Sequence, residues 1–210
     1  YLVVDTHALL LGDEQPVFGV HAPVYCPTGV AAFARDTESS QQVWSAKAGY
    51  PGDPIYRDFY RDIGFDLPLE YIGKYLHPEN VRGFTGLKYH AITHDKLHDK
   101  WVYDPQAARA RVGLHASHFR GNRARQVEAL AARMDRPPIV VSPYDAELYG
   151  HWWYEGPQFL NDLFRQLHHD QSPVESITPG DYLDRHPTHQ VATPSASSWP
   201  PARRCRRTTT

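Results

Sequence analysis

Between Pro143 and Pro157 the sequence sets carboxylates, an imidazole and flat aromatic rings side by side: Tyr144-Asp145-Ala146-Glu147-Leu148-Tyr149-Gly150-His151-Trp152-Trp153-Tyr154-Glu155-Gly156. This mixture suits chemistry at a glycosidic bond. One carboxylic acid must protonate the leaving oxygen, and a second carboxylate must attack or stabilise the anomeric carbon. The acid has to keep its proton near neutral pH, so burial or neighbouring negative charge must raise its pKa. Asp145 and Glu147 lie two residues apart. In an extended segment both point the same way, and each would make the other harder to ionise. Trp152, Trp153 and Tyr154 present apolar faces beside polar tips, which fits sugar rings. The plainer alternative is an aromatic cluster in the core with its carboxylates solvated in a loop. The pattern alone leaves both open.

The elements that must position this cluster can be read from its flanks. Pro138 to Val141 reads as a buried strand, so the cluster would sit just past its C-terminal end, where α/β barrels place their active sites. Tyr1 to Val4 is a second buried-strand pattern, followed by Asp5-Thr6-His7. That second rim cluster reads either as a divalent-metal site or as side chains that hydrogen-bond neighbouring loops.

The run Tyr144 to Pro157 resembles the fourth conserved region of glycoside hydrolase family 57, and is most similar to that family's α-1,4-glucan branching enzymes. Further likeness lies in Phe33-Ala34-Arg35-Asp36, in Gln42-Val43-Trp44-Ser45 and in the stretch Tyr56 to Asp66. The resemblance implies an α/β fold that is part of a (β/α)7-type glycoside hydrolase/deacetylase barrel. It implies Asp145 as the general acid/base, with Glu147 as a neighbour that tunes it. It also implies that Arg35, Trp44, Gly52, Trp152 and Trp199 contact an α-1,4-glucan, with no cofactor and no metal. An Arg can donate several hydrogen bonds to sugar hydroxyls, and a Gly allows close approach of the backbone to a ligand. The resemblance places the family's nucleophilic glutamate upstream of Tyr1. The sequence therefore reads as a piece of a longer protein, expected to be inactive by itself because retaining chemistry needs two carboxyl groups about 5 to 5.5 Å apart.

The rest of the chain supplies scaffolding. Val17 to Val20 and Val30 to Ala34 read as short strands. Asp36 can cap a helix through Val43 and Trp44. Gly49-Tyr50-Pro51-Gly52-Asp53-Pro54 demands a tight turn. Arg57, Asp58, Arg61 and Asp62 read as a salt-linked motif, paired at i, i+4 if helical. Leu67 to Leu76 reads as a short helix, and Thr85 to Ile92 as a strand whose Lys88 and His90 could reach a cleft. Pro105 to Met134 is the longest helical stretch, expected to split at Gly121-Asn122. His115 and His118 share a face there, as a metal pair or as core histidines. Gln158 to His168 has helical periodicity, Val174 to Ile177 reads as a last strand, and Thr178 starts a final helix.

Residues 1–187 are expected to be barrel, 188–199 a linker resembling the family's fifth region, and 200–210 a disordered basic tail, which a shifted reading frame near Trp199 would explain. A formal net charge of -2 gives no electrostatic case for nucleic acid. No run of about 18 apolar residues suggests a membrane span. Cys26 and Cys205 make no disulfide framework, which points to a reducing, cytoplasmic setting. The expected activity is glucan branching: cleaving α-1,4 and forming α-1,6 links in a glycogen-like polymer. The alternatives are an α-amylase or 4-α-glucanotransferase of the same family, a catalytically incomplete glucan-binding fragment, or a metal-dependent polysaccharide deacetylase using Asp5 and His7.

Overall fold

The computed structural model describes residues 1–93, 99–169 and 172–197. They are mixed α/β and divide into two compact units. The first holds Tyr1–Ser40, Arg120–Pro143 and the described residues from Leu167 on; the second holds Gln41–Phe119 and Tyr144–Gln166. Among the described residues no helix is long and apolar enough to cross a membrane.

The first unit is built on a three-stranded sheet of β1 (Leu2–Val4), β2 (Val24–Tyr25) and β3 (Ala31–Ala34) in the order β1-β3-β2. β3 runs parallel to β1 and antiparallel to β2. Four small or apolar residues make β3 buried on both faces, as a central strand of such a sheet should be. Side chains alternate across it. Ala32 and Ala34 pack with Leu9 of α1 (Thr6–Leu10), while Ala31 and Phe33 pack with Ile139 and with Tyr182 of α7 (Pro179–Arg185). Thr178 caps α7 by accepting from the Asp181 amide at 3.1 Å.

Several expected strands do not form. Of the expected Tyr1 to Val4, Leu2–Val4 does form a strand, but it is not buried: Leu2 is 44% and Val3 42% exposed. Its ladder runs to β3 on one side only. Val17 to Val20 is a turn. Pro138 to Val141 runs extended and contributes Ile139 to the core, yet it makes only spaced bonds: Ile139 N–H to the His21 carbonyl at 2.9 Å and Asp36 N–H to the Val141 carbonyl at 2.8 Å. Pro137 and Pro138 have no amide hydrogens to build a ladder there. Val174 to Ile177 is irregular for want of a partner strand, although Ile177 packs on the core.

The second unit carries α3 (Ile63–Asp66), α4 (Leu69–Ile72) and the first part of α5 (Pro105–Ala131). The anticipated break at Gly121-Asn122 is absent. α5 runs unbroken through it, since one Gly among good helix formers costs only about 1 kcal/mol. Thr85 to Ile92 forms isolated bridges, Ala91 to Arg57 and His90 to Val102, not a strand. α6 (Gly156–His169) buries Phe159 and Leu163 and leaves Phe164 exposed.

Candidate active site

In the first unit the parallel strands β1 and β3 end together. Asp5 follows β1 and is buried; its Oδ1 caps α1 by accepting the Thr6 amide at 2.7 Å. The Arg35 Nε lies 3.7 Å from Asp5 Oδ1, and His7 Nδ1 lies 3.7 Å from Oδ2. Arg35 is therefore held at the strand end by its amide bond to the Val4 carbonyl and by Asp5. A guanidinium beside Asp5 occupies the electrostatic role that a metal ion would take. Among the described residues no group of three or more His, Cys, Asp or Glu is arranged to hold a metal. Next to Arg35, buried Asp36 caps α2 (Thr37–Trp44) as the sequence suggests: its Oδ1 accepts the Ser39 amide at 2.8 Å. Burial pushes the Asp36 carboxyl up, but hydrogen bonds from Ser39 and Gln126 and the charge of Arg123 outweigh it and hold it below the usual range.

In the second unit Asp145 opens a 3-10 turn, Ala146–Leu148. This turn replaces the extended segment expected from sequence, so Asp145 and Glu147 do not share a face by two-residue alternation. Both are exposed, and the Asp145 carboxylate makes no capping bond to the turn it begins. The chain then reverses at Gly150, whose φ of +96° suits a glycine. It returns so that Trp152 N–H donates to the Glu147 carbonyl at 3.1 Å and Trp153 N–H to the Leu148 carbonyl at 2.8 Å. The reversal settles which ring faces where. Trp153 is core, 1% exposed, against Tyr56 and Phe159. Trp152 and Tyr154 stand about half exposed. Trp153 thus follows the core reading of this motif, while Trp152 and Tyr154 present ring surface to solvent.

The motif is tied down by Glu155, a residue to which sequence reasoning gave no role. It is buried and its Oε1 accepts the Arg57 amide at 3.0 Å, while Arg57 lies over the Tyr154 ring at 3.6 Å from the centroid. Burial raises the Glu155 carboxyl above its ordinary range, against hydrogen bonds from Arg57 and Tyr103 that lower it. The only sequence signal was a carboxylate immediately before the helix α6.

Beneath these rings sits a second buried group. Tyr56 OH and His115 Nδ1 are 2.7 Å apart, and His115 Nε2 lies 3.6 Å from Asp53. Tyr50 OH is likewise 2.8 Å from His118 Nδ1. The two histidines on one face of α5 thus serve packing and hydrogen bonding. Burial, with the charges of Arg111 and His118, pushes His115 down from 6.5 to about 4, Asp53 opposing. Protonation below 6.5 therefore favours the unfolded chain. The contribution of His115 is complete above 6.5 and is lost as pH falls through about 4. On acidification the protein should lose on the order of 3 kcal/mol of stability through this group. Urea unfolding at neutral pH and near pH 4 checks this: His115→Gln should shrink the difference, and an unchanged difference would refute it.

No protein-family model matches the sequence. The 1,4-α-glucan branching enzyme of Thermococcus kodakarensis is 34% identical over 174 residues, covering 81% of this chain and 23% of that enzyme. A Mycobacterium tuberculosis protein named a probable 1,4-α-glucan branching enzyme is 37% identical over 159 residues, covering 75% of this chain and 26% of that protein. The chain thus spans about a quarter of the length of these relatives. Among solved structures, the family 57 branching enzyme of Pyrococcus horikoshii superposes with a TM-score of 0.74 at 31% identity, over 94% of this chain and 32% of that one. The α-amylase AmyC of Thermotoga maritima superposes with a TM-score of 0.87 at 47% identity, over 94% of this chain and 38% of that one.

Over the part of their length that it spans, the chain is similar to enzymes of glycoside hydrolase family 57.

The family 57 resemblance carries the remaining site residues onto definite places. Trp44 is the last residue of α2 and is 58% exposed, so its indole is open to a ligand. Gly52 closes the 3-10 turn Tyr50–Gly52, which fulfils the tight-turn expectation. Its missing Cβ has a reason within the protein: a Cβ there would sit 1.9 Å from the Ala46 carbonyl oxygen. The close backbone approach that Gly52 permits is thus to Ala46. Gly52→Ala should force the turn apart and destabilise the protein by about 1–3 kcal/mol, read as a lower urea midpoint. Trp199 and the 200–210 tail lie outside the described residues. Lys88 and His90 are structural: Lys88 donates to the Phe59 and Arg61 carbonyls, and His90 Nε2 is 3.2 Å from an Arg61 nitrogen. In the charged run Arg57 to Asp62, Asp58 pairs with Lys100, Asp62 with Lys88 and Arg61 with Asp66, not with one another at i, i+4, because the segment is not helical.

Proposed function

We propose that the protein carrying this chain is a retaining 1,4-α-glucan branching enzyme with Asp145 as its general acid/base. In this reading the strands of the first unit are part of a (β/α)7 barrel. Asp145 protonates O4 of the leaving glucan while a carboxylate outside these residues takes the glycosyl group as an ester. Asp145 then removes the proton from the 6-hydroxyl of an acceptor glucan, which displaces the carboxylate and forms the α-1,6 link. Each proton that Asp145 gives is thereby regained. Docked glucan strips water from Asp145 and favours its protonated form. The observation that carries the reading is the exposed Asp145 turn with Trp152 folded back against it, on a chain 34% identical to a named branching enzyme. The product would be a glycogen-like glucan, made in the cytoplasm.

A second reading, α-amylase, draws support from the 47% identity to a structure bearing that name. One experiment separates them. The protein is incubated with amylose, the product is debranched, and chain profiles are compared with reducing-end release. New α-1,6 branches support the transferase. Reducing ends without branches refute it in favour of the amylase.

A further inference from the structure

The loop at residues 58–62 joins two buried carboxylates, Asp58 and Asp62, to the rings of Phe59 and Tyr60. Asp58 Oδ1 accepts the Tyr60 amide at 2.7 Å and the Arg61 amide at 3.1 Å. Asp62, fully buried, accepts the Gly64, Thr85 and Gly86 amides at 2.9, 3.0 and 2.9 Å. Those bonds hold its carboxyl below the usual range despite burial, which raises it. Lys88 donates to the carbonyls of Phe59 and Arg61 from the other side. Buried ions are costly unless fully matched, and here each is. Lys100 pairs with Asp58, Lys88 with Asp62 and Arg61 with Asp66.

This scaffold does not tuck the aromatics in. Tyr60 is 76% exposed. Phe59, half-buried, is the hub of a ring cluster. The Trp152 indole lies along it at 4.4 Å and 33°, while Tyr60 and His151 stand nearly perpendicular to it at 5.2 and 5.3 Å. Trp152 is half exposed, with Phe59 along its ring and His151 nearly perpendicular to it at 5.2 Å. The result is a flat apolar floor with a phenol and an imidazole as polar edges. All the charges of the loop are cancelled within the protein, so the surface suits a neutral polyhydroxylated ligand and not an ion. A fixed aromatic floor binds at little entropic cost.

We propose that Phe59, Tyr60 and Trp152 form a stacking subsite for one glucose residue of an α-glucan, alongside Asp145. Trp152 gives the floor, Phe59 orients it, and Tyr60 supplies a ring edge and a hydroxyl. The adjacency rests on the backbone: the Trp152 amide is bonded to the Glu147 carbonyl, in the turn that Asp145 opens. The proposal rests on the glucan reading above and adds Phe59 and Tyr60 to it.

The test is titration calorimetry of maltoheptaose into the protein carrying this chain, with Asp145→Asn throughout to stop turnover. Tyr60→Ala and Trp152→Ala should each weaken binding, roughly tenfold at most for the loss of one aromatic contact. The double variant should lose less than the product of the two, because both rings hold one sugar. Tyr60 is exposed, so the melting temperature should not change. Maltoheptaose binding that is unaltered by Tyr60→Ala would overturn the subsite and leave the glucan reading standing. A protein that binds no maltoheptaose even with Tyr60 intact would overturn both. A Tyr60→Ala variant that sediments as a smaller species with unaltered maltoheptaose affinity would identify the patch as a contact between protein copies and overturn the subsite.

Discussion

Asp145→Asn in the protein that carries this chain should lower glucan transfer by about 10²- to 10⁴-fold, the usual contribution of a positioned general acid. Asn has nearly the same shape but no proton to give O4 and no capacity to take one from the acceptor hydroxyl. The fold should be untouched. The Asp145 side chain makes no capping bond to the Ala146–Leu148 turn, and the turn is closed by main-chain bonds, Leu148 N–H to the Asp145 carbonyl at 3.1 Å among them. The expected pattern is therefore a collapse of kcat with melting temperature and maltoheptaose affinity unchanged. Glu147→Gln, two residues on and also exposed, should cost far less, because in the proposed reaction Glu147 transfers no proton. Full activity in Asp145→Asn would remove the residue on which the proposed function turns.

Trp153→Ala should be the most destabilising single change in the motif, at about 3–5 kcal/mol for emptying a buried large aromatic site. Trp153 is 1% exposed, and its ring packs on Tyr56, Phe159 and Tyr149 with centroids at 5.7, 5.1 and 6.5 Å. Those neighbours come from the 50s loop, from α6 and from the motif itself, so they cannot close around the gap by moving one element. The indole N–H has no hydrogen-bond partner among the described residues. Trp153→Phe removes that unsatisfied donor and should cost much less than Trp153→Ala. The adjacent Trp152→Ala should leave the urea midpoint almost unmoved. A reversed order, with Trp152→Ala the more damaging to stability, would mean that the two rings had been assigned to the wrong sides.

The sequence by itself determined the chemistry-bearing cluster. Asp145, Glu147, His151 and the aromatic triplet cannot all serve a simple core, and their order is specific enough to resemble family 57. It also determined the elements whose signals are local. Asp36 caps α2, Thr178 caps α7, and the Gly-Pro run around Gly52 forms a tight turn, because caps and turns are set by residues within a few positions of one another. Strands were less legible. Pro138 to Val141 and Val174 to Ile177 have strand-like composition, but a strand exists only where a partner edge is supplied, and that edge comes from far along the chain. The i, i+4 pairing expected of Arg57 to Asp62 failed for a similar reason: Asp58 and Asp62 take Lys100 and Lys88, from well along the chain, as partners.

Only the tertiary structure decided which of two neighbouring tryptophans is core and which is surface. By residue type Trp152 and Trp153 are equivalent, and the resemblance that singles out Trp152 as a glucan contact gives no physical reason for the choice. The reversal at Gly150 and the amide bonds to Glu147 and Leu148 turn one ring inward onto Phe159 and leave the other lying on Phe59. The same holds for the buried Glu155, and for the imidazole of His115, which burial and the charges of Arg111 and His118 keep neutral. Local sequence sets the chain's bends. Which face of a bend is dry depends on what packs against it, and that is a property of residues brought together from far apart.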